Sequence, residues 1–307
     1  MKITDRLKEF AGYNLRRLNR RFCEPGVVSI KGLKHVFIEP TNRCNLRCAI
    51  CSNTFKRPQG NIELSTYKRI VGELGEKCPD VEVRVFFSGE PLLYPGIDEL
   101  IRIAKGCGLH DFLIHTNAIL MTEDLAKKLI DAGLTKISFS IDGGSKEAYE
   151  EIRGKGNFGK AVKGAQAFLN VNDKRVHTIV QVIKKYPQEL QVSDDFRRLF
   201  DGADKIYVKH PHSWAEAGSV KDSMPAERQF LCNFLYRYFQ FYWNGDAVVC
   251  CACLNGEYVL GNIKDSSVEE LFNSDVMRVL RLNQERRQPV DPKYPCAKCE
   301  RYQTVKR

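Results

Sequence analysis

From Lys34 to about Val208 the chain alternates short β-prone runs with longer helix-prone stretches, and this alternation restricts the fold more than any other feature. The predicted strands are His35–Ile38, Val83–Phe87, Phe112–His115, Lys136–Ile141, Thr178–Ile183 and Lys205–Val208. Between them lie helix-like segments such as Ser65–Gly75, Gly96–Lys105, Thr122–Ala132 and Phe158–Asn170. Thr122 ahead of Glu123-Asp124, and Gly133 after Ala132, supply an N-cap and a C-cap. Strands alternating with helices imply βαβ units, a parallel sheet and right-handed crossovers. Six such units are fewer than a closed eight-unit barrel requires. The expected class is therefore α/β, with a partial (β/α)6 barrel.

The pattern changes after Lys209. His210-Pro211-His212-Ser213-Trp214 and the Gly/Ser-containing residues that follow read as a linker. Phe234–Trp243 is an aromatic run, Asn244-Gly245 a hairpin turn signal, and Ala247–Leu254 a second apolar run. A helix candidate, Ser267–Asn283, leads to Cys296 and Cys299. The expected organisation is a basic N-terminal segment (1–30), a barrel (31–212) and a small cysteine-rich domain with a β-hairpin and a helix (213–307).

The chain has 307 residues and twelve cysteines, a number that in an intracellular chain of this size points to metal or redox chemistry. No run approaches the length of a membrane-spanning helix, and the first residues lack the apolar block of a secretory signal. The expected location is the cytoplasm. Formal charge is +10, and much of the excess comes from Lys2, Arg6, Lys8, Arg16, Arg17, Arg20 and Arg21. Leu7, Phe10, Ala11, Leu18 and Phe22 fall near helical spacing, so this is a candidate basic amphipathic helix. It could pack on the barrel with a solvated face, meet an anionic substrate, or make peripheral contact with a membrane. No nucleic-acid-binding module is recognisable, and no nucleic-acid partner is expected.

Cys44, Cys48 and Cys51 directly follow the first strand, within Glu39-Pro40-Thr41-Asn42-Arg43-Cys44-Asn45-Leu46-Arg47-Cys48-Ala49-Ile50-Cys51. The same spacing would suit a buried helical stripe, but Pro40 and Asn42 argue for a loop. Thiolates so grouped suit iron–sulfur or zinc, and three ligands leave one coordination site for another molecule. A Cys-x3-Cys-x2-Cys loop after the first strand of a partial barrel resembles the radical S-adenosylmethionine (SAM) superfamily. The resemblance covers Lys34 to about Val208. It implies that the three thiolates hold a [4Fe–4S] cluster to which SAM chelates. Reductive cleavage of SAM then gives a 5′-deoxyadenosyl radical that abstracts a substrate hydrogen, with a reductant such as flavodoxin or ferredoxin as partner.

The same resemblance assigns SAM contacts at the strand ends. Ser88-Gly89-Glu90-Pro91 stands where the family usually has Gly-Gly-Glu-Pro, which implies that Glu90 faces the SAM amino group. Thr116, Asn117, Ser140 and Asp142 take the ribose and methionine positions, and Arg153 in Tyr149–Gly154 takes a position near the SAM carboxylate. Ile50 departs from the usual aromatic beside the third cysteine.

Cys232, Cys250, Cys296 and Cys299 form a second group, separated by seventeen, forty-five and two residues, with four residues between Gly245 and Cys250. Four thiolates close a metal site, as zinc or as a [4Fe–4S] cluster. The arrangement resembles the twitch form of the SPASM extension, which implies one auxiliary [4Fe–4S] cluster and two clusters in all. If Cys250 faces that cluster from a strand, Cys251 and Cys253 face the other side, as small core residues or as hydrogen donors to a substrate radical. Cys23, Cys78 and Cys107 read as ordinary thiols, and the six histidines show no metal-ligand spacing. His210 and His212 are candidates to reach substrate.

The resemblance implies a radical SAM oxidoreductase or epimerase acting on a polar, sugar- or aminocyclitol-like small molecule. The basic balance adds the expectation of phosphate or a nucleotide on it. Two alternatives remain open at this point: a peptide-modifying radical SAM enzyme, and a non-catalytic zinc protein associated with nucleic acid.

Overall fold

The computed structural model describes residues 24–51, 56–184, 191–209, 232–286, 288, 290–294, 296 and 299. The amphipathic helix expected over the first residues, Cys23, and the linker with His210 and His212 lie outside them.

Six strands run parallel: β1 His35–Ile38, β2 Glu82–Arg84, β3 Asp111–Thr116, β4 Lys136–Ser140, β5 His177–Ile183 and β6 Lys205–Lys209. Helices α1 Leu64–Lys77, α2 Ile97–Gly106, α3 Glu123–Ala132, α4 Lys146–Arg153, α5 Phe158–Asn172 and α6 Asp194–Arg198 occupy the crossovers. The α3 caps form as the sequence requires: Leu125 N–H donates to Thr122 Oγ1 at 3.2 Å, and Gly133 ends the helix with φ +103°. Helix α4 was not anticipated as an element. Ser145 caps it, accepting from Ala148 N–H at 3.2 Å, and its last residue is Arg153.

Period-two alternation divides the sheet into an apolar face and a polar one. Val36, Ile38, Val83, Phe112, Ile114, Ile137, Phe139, Val180 and Val182 lie in the core under the helices. The opposite face is laced by charge. Glu82 Oε1 lies 2.9 Å from His35 Nδ1 and accepts from Arg84 Nε at 2.6 Å, while Lys136 Nζ donates to Glu82 Oε2 at 2.7 Å and to Asp111 Oδ2 at 2.8 Å. Burial opposes ionisation of Glu82, but the hydrogen bonds from His35, Lys136 and Arg84 outweigh it and hold this carboxyl well below the usual range. The inner face thus has a charged floor around Glu82, above which Phe37 and Phe86 meet edge to face at 5.4 Å.

The C-terminal residues extend the barrel's own sheet. A single turn of helix, α7 Phe234–Arg237, precedes β7 Tyr238–Phe241, which pairs in parallel with β1 from His35↔Tyr238 to Ile38↔Phe241. Asn244-Gly245 turns the chain, Gly245 with φ +90°, into β8 Asp246–Val248, and β9 Val259–Asn262 completes the order β6-β5-β4-β3-β2-β1-β7-β8-β9. The hairpin signal was legible. The aromatic run, however, begins as helix, and the second hairpin strand stops at Val248, short of Cys250. The expected helix Ser267–Asn283 is two helices, α8 Val268–Phe272 and α9 Asp275–Glu285, because Asn273 caps the first and uses its side chain to bond Val28. Arg281 of α9 is fully buried and donates to the carbonyls of Leu235, Phe272 and Gly26, tying α7, α8 and the start of the described chain together. Among the described residues, no helix is long and apolar enough to cross a membrane.

Candidate active site

The loop from β1 to α1 carries Cys44 and Cys48, both half-buried, and the exposed Cys51. Short backbone bonds shape it: Cys51 N–H donates to Cys48 O at 3.0 Å, and Ala49 N–H donates to Ile152 O of α4 at 2.7 Å. Burial raises the pKa of both Cys44 and Cys48; at Cys48 the nearby Arg153 guanidinium counteracts it, with Nη1 4.0 Å from the sulfur. Gly89 runs against the base of this loop. A Cβ there would stand 2.3 Å from Thr41 O, so only glycine permits the approach that lets Glu90 N–H donate to Arg43 O at 2.8 Å.

The strand-end residues singled out in the sequence gather at the carboxyl ends of β2, β3 and β4, and they bond one another. Glu90 is buried; Oε1 accepts from Thr116 Oγ1 at 2.6 Å and from Leu92 N–H at 3.1 Å, and Oε2 accepts from Asn117 N–H at 2.8 Å. Asn117 Nδ2 donates to Asn45 Oδ1 at 2.8 Å, which joins β3 to the cysteine loop. Asp142 is fully buried, accepting Arg153 Nε at 2.7 Å and Nη2 at 2.6 Å on Oδ2 and Ile183 N–H at 2.8 Å on Oδ1. Burial works against the Arg153 charge, and Asp142 more than restores it. Two further residues of the group bond side chains outside it. The Ser88 hydroxyl bonds the Glu39 carboxylate and accepts from Arg57 Nη2 at 3.0 Å. The Ser140 hydroxyl bonds His115 Nε2.

His115 and Gln240 were not legible as site residues. His115 sits on the polar face of β3, against the Phe86 ring (centroids 5.4 Å), with Gln181 Nε2 3.4 Å from its Nε2. Desolvation, together with Lys209, Arg153 and Arg84, pushes its pKa down to about 3. The folded value lies below the unfolded one of about 6.5, so as pH falls through 6.5 the unfolded chain takes up a proton that the folded chain refuses. Stability from this group is complete above pH 6.5 and is lost progressively toward pH 3. Urea midpoints at pH 7, 5.5 and 4.5 are expected to fall less steeply for His115→Gln than for the parent; equal slopes would contradict the assignment. Gln240, on β7 beside Phe37, is fully buried, and neither Nε2 nor Oε1 has a hydrogen-bond partner among the described residues. Strand alternation, with Phe239 and Phe241 in the core, places it on the polar face.

In the second cysteine group, Cys296 is buried and Cys232, Cys250 and Cys299 are half-buried, with Cys299 N–H donating to Cys296 O at 3.3 Å. Burial pushes Cys232 up to about 11, with the Cys250 and Cys299 thiols adding to it, and Cys296 is raised by burial and by Cys250, Cys232 and Cys299. The four thiols therefore lie within electrostatic reach of one another. Cys250 stands in a turn rather than on a strand, because β8 ends at Val248 and Cys253 N–H folds back to Cys250 O at 3.0 Å. The inference that Cys251 and Cys253 both face away from Cys250 is thereby corrected. The buried Cys253 thiol hydrogen-bonds with Cys250, which with burial raises its pKa well above the usual range, while Cys251 is half-buried in the same turn.

Among the described residues no three His, Cys, Asp or Glu side chains stand in metal-ligating geometry. The fit to iron–sulfur groups rests on donor chemistry: three thiols on one loop and four thiols in a second neighbourhood, all needing the deprotonation that metal binding brings.

Residues 38–196 match the family model described as the radical SAM superfamily. The chain belongs to that superfamily. Radical SAM membership makes it an enzyme whose cofactors are SAM and [4Fe–4S] clusters, and it displaces the reading as a non-catalytic zinc protein. Residues 232–300 match the SPASM iron–sulfur cluster-binding domain. Among curated proteins, GTP 3′,8-cyclase of Petrotoga mobilis is 31% identical over 157 residues, 49% of this chain and 48% of that protein. The chain spans 31–64% of the length of the curated relatives compared. Among solved structures, SuiB of Streptococcus suis bound to precursor peptide SuiA has a TM-score of 0.68 at 15% identity, over 89% of this chain and 71% of that one. BtrN in complex with AdoMet and 2-DOIA has a TM-score of 0.56 at 16% identity, over 82% of this chain and 86% of that one. These radical SAM structures share the fold described above.

Proposed function

We propose that this enzyme oxidises or epimerises a polar, hydroxyl-bearing small molecule of sugar or aminocyclitol type. Cys44, Cys48 and Cys51 would hold the SAM-binding cluster, and Cys232, Cys250, Cys296 and Cys299 one auxiliary cluster. The observation that carries the substrate class is Gln240. A fully buried amide with neither polar atom paired among the described residues forfeits about 1–3 kcal/mol or more, so such a group in a functional lumen answers to a ligand. Its complement is a neutral edge offering both a donor and an acceptor. Arg57, Arg84, Lys136 and Arg153 are each already ion-paired to a carboxylate, which argues against an anionic group at this depth.

Bound at the three-cysteine loop, SAM and its cluster supply a one-electron cleavage and with it the abstraction of a substrate hydrogen. The chain's own residues do the positioning. Glu90 braces the ends of β2 and β3 through Thr116 and Asn117, and Asp142 fixes Arg153 beside Cys48. In the tautomer in which His115 Nε2 accepts from Ser140, Nδ1–H is left to orient a substrate oxygen, and the depressed pKa keeps the ring neutral while it does so. Cys253, its thiol hydrogen-bonded to Cys250, is a less direct hydrogen donor than the strand reading implied, and Cys251 keeps that candidacy for the epimerase outcome.

A peptide substrate is the second reading, favoured by the likeness to SuiB; a peptide amide also offers a donor and an acceptor to Gln240. Anaerobic reconstitution is expected to load iron and sulfide at both cysteine groups, with Cys250→Ala losing about half of the iron while still cleaving SAM. An aminocyclitol probe is expected to stimulate 5′-deoxyadenosine formation above the substrate-free rate. Stimulation by short peptides alone would transfer the assignment to the second reading, and unchanged iron in Cys250→Ala would refute the auxiliary site.

A further inference from the structure

Six residues beyond Cys51, Arg57 lies across the seam between the two cysteine loops. Its guanidinium forks onto the fully buried Glu39, Nη1 to Oε2 at 3.1 Å and Nη2 to Oε1 at 2.9 Å, at the carboxyl end of β1. Nε donates to Leu254 O at 2.8 Å, four residues beyond Cys250, and Cζ stacks 3.7 Å above the Tyr242 ring. That ring is itself fixed, since Tyr242 Oη donates to Cys253 O at 2.6 Å. Three further contacts run in parallel. Lys56 N–H donates to Asn255 Oδ1 at 3.3 Å, Trp243 Nε1–H to Pro58 O at 3.3 Å, and Trp243 N–H to Glu39 Oε2 at 3.1 Å. At Gly60 the chain passes so close to the Trp243 indole that a Cβ would fall 2.5 Å from it. The start of the three-cysteine loop is clamped to the same stretch: Thr41 Oγ1 donates to Gly60 O, Asn42 Nδ2 to Pro58 O, and Gly60 N–H to Asn42 Oδ1, each at 2.9 Å.

The base of the SAM-cluster loop is thus built partly from the segment that follows Cys250. Such a joint has a thermodynamic consequence. Whatever orders the 250–256 turn also orders the anchor of the 44–60 loop, and the linkage is reciprocal. We propose that Arg57 is a positioning residue that couples the two cysteine sites, so that an intact auxiliary site raises the affinity of the first site for SAM. Resting on the assignment of clusters to these cysteines, the proposal adds to it a communication route through one side chain. Lysine cannot replace arginine here, because the fork onto Glu39, the Nε bond to Leu254 and the flat stack on Tyr242 all need the planar guanidinium.

The experiment is a double-mutant cycle on the anaerobically reconstituted full chain. SAM affinity is read from the change it produces in the electron paramagnetic resonance spectrum of the reduced SAM-binding cluster. Cys250→Ala and Arg57→Gln are each expected to weaken SAM about tenfold, and the double variant no more than either alone, since both cut one connection. Arg57→Lys is expected to recover little of the loss. Two losses that multiply, or SAM affinity unchanged in Cys250→Ala, would overturn the coupling. Iron content and melting temperature, measured on every variant, separate the other failures. Absence of iron at the first site in the parent would refute the cluster assignment itself. Should Arg57→Gln fail to fold, Tyr242→Leu removes the stack from the opposite side and is expected to show the same non-additivity with Cys250→Ala; full additivity there would likewise overturn the proposal.

Discussion

Replacing Cys44 by alanine is expected to abolish reductive cleavage of SAM while leaving the fold nearly unchanged. The two halves of that expectation have separate physical causes. Cys44 lies half-buried on a loop, so its truncation removes little packing and is expected to change stability by less than about 1 kcal/mol. Its thiolate is one of three proposed ligands, and two cannot hold a [4Fe–4S] cluster open to a fourth partner. Iron content is expected to fall by about half, the portion at the second cysteine group remaining. Chromatographic detection of 5′-deoxyadenosine under reducing, oxygen-free conditions is the check. Continued formation at the parent rate would remove the first site from the mechanism.

The converse is expected at Asp142. Asp142→Ala leaves the Arg153 guanidinium in the interior without its carboxylate and strips Ile183 N–H of its acceptor. Breaking a buried ion pair from one side costs about 3–5 kcal/mol. In a chain of this size that is a fall of about ten degrees in melting temperature. Asp142→Asn keeps an oxygen for Ile183 N–H and is expected to lose less. Because Arg153 also approaches Cys48, both substitutions are expected to weaken SAM binding, the alanine variant more. Urea unfolding monitored by circular dichroism tests the first claim. A loss below about 1 kcal/mol for Asp142→Ala would mean that Arg153 finds another partner, and the site geometry would have to be redrawn.

The barrel strands were legible to within a residue or two at most ends because their alternation and helix caps are local. The β1 limits, His35–Ile38, agree outright, and Thr122 and Gly133 cap α3 as read. Local reading failed where a distant group decides the conformation. Phe234–Arg237 looks strand-like yet turns as a helix, whose Leu235 carbonyl is bonded by Arg281. Asn273 divides one expected helix into two because its side chain serves Val28. Cys250 looked like a strand residue, but β8 ends two positions earlier and the chain folds back on itself, bringing Cys253 to the Cys250 side. The seam between the cysteine loops was invisible: Glu39 precedes Arg57 by 18 residues, and Tyr242 follows it by a distance that no motif spans.

By itself the sequence determined the chemistry this chain can host, because thiol spacing, strand-end carboxylates and βα alternation are properties of short segments. Tertiary structure alone decided how these parts are used. It made the C-terminal hairpin a continuation of the barrel sheet, turned Ser140 toward His115 and Ser88 toward Glu39, and left the Gln240 amide buried without a partner among the described residues. A side chain's type is fixed by the sequence, whereas its hydrogen-bond partner depends on which strands and loops come to lie beside it.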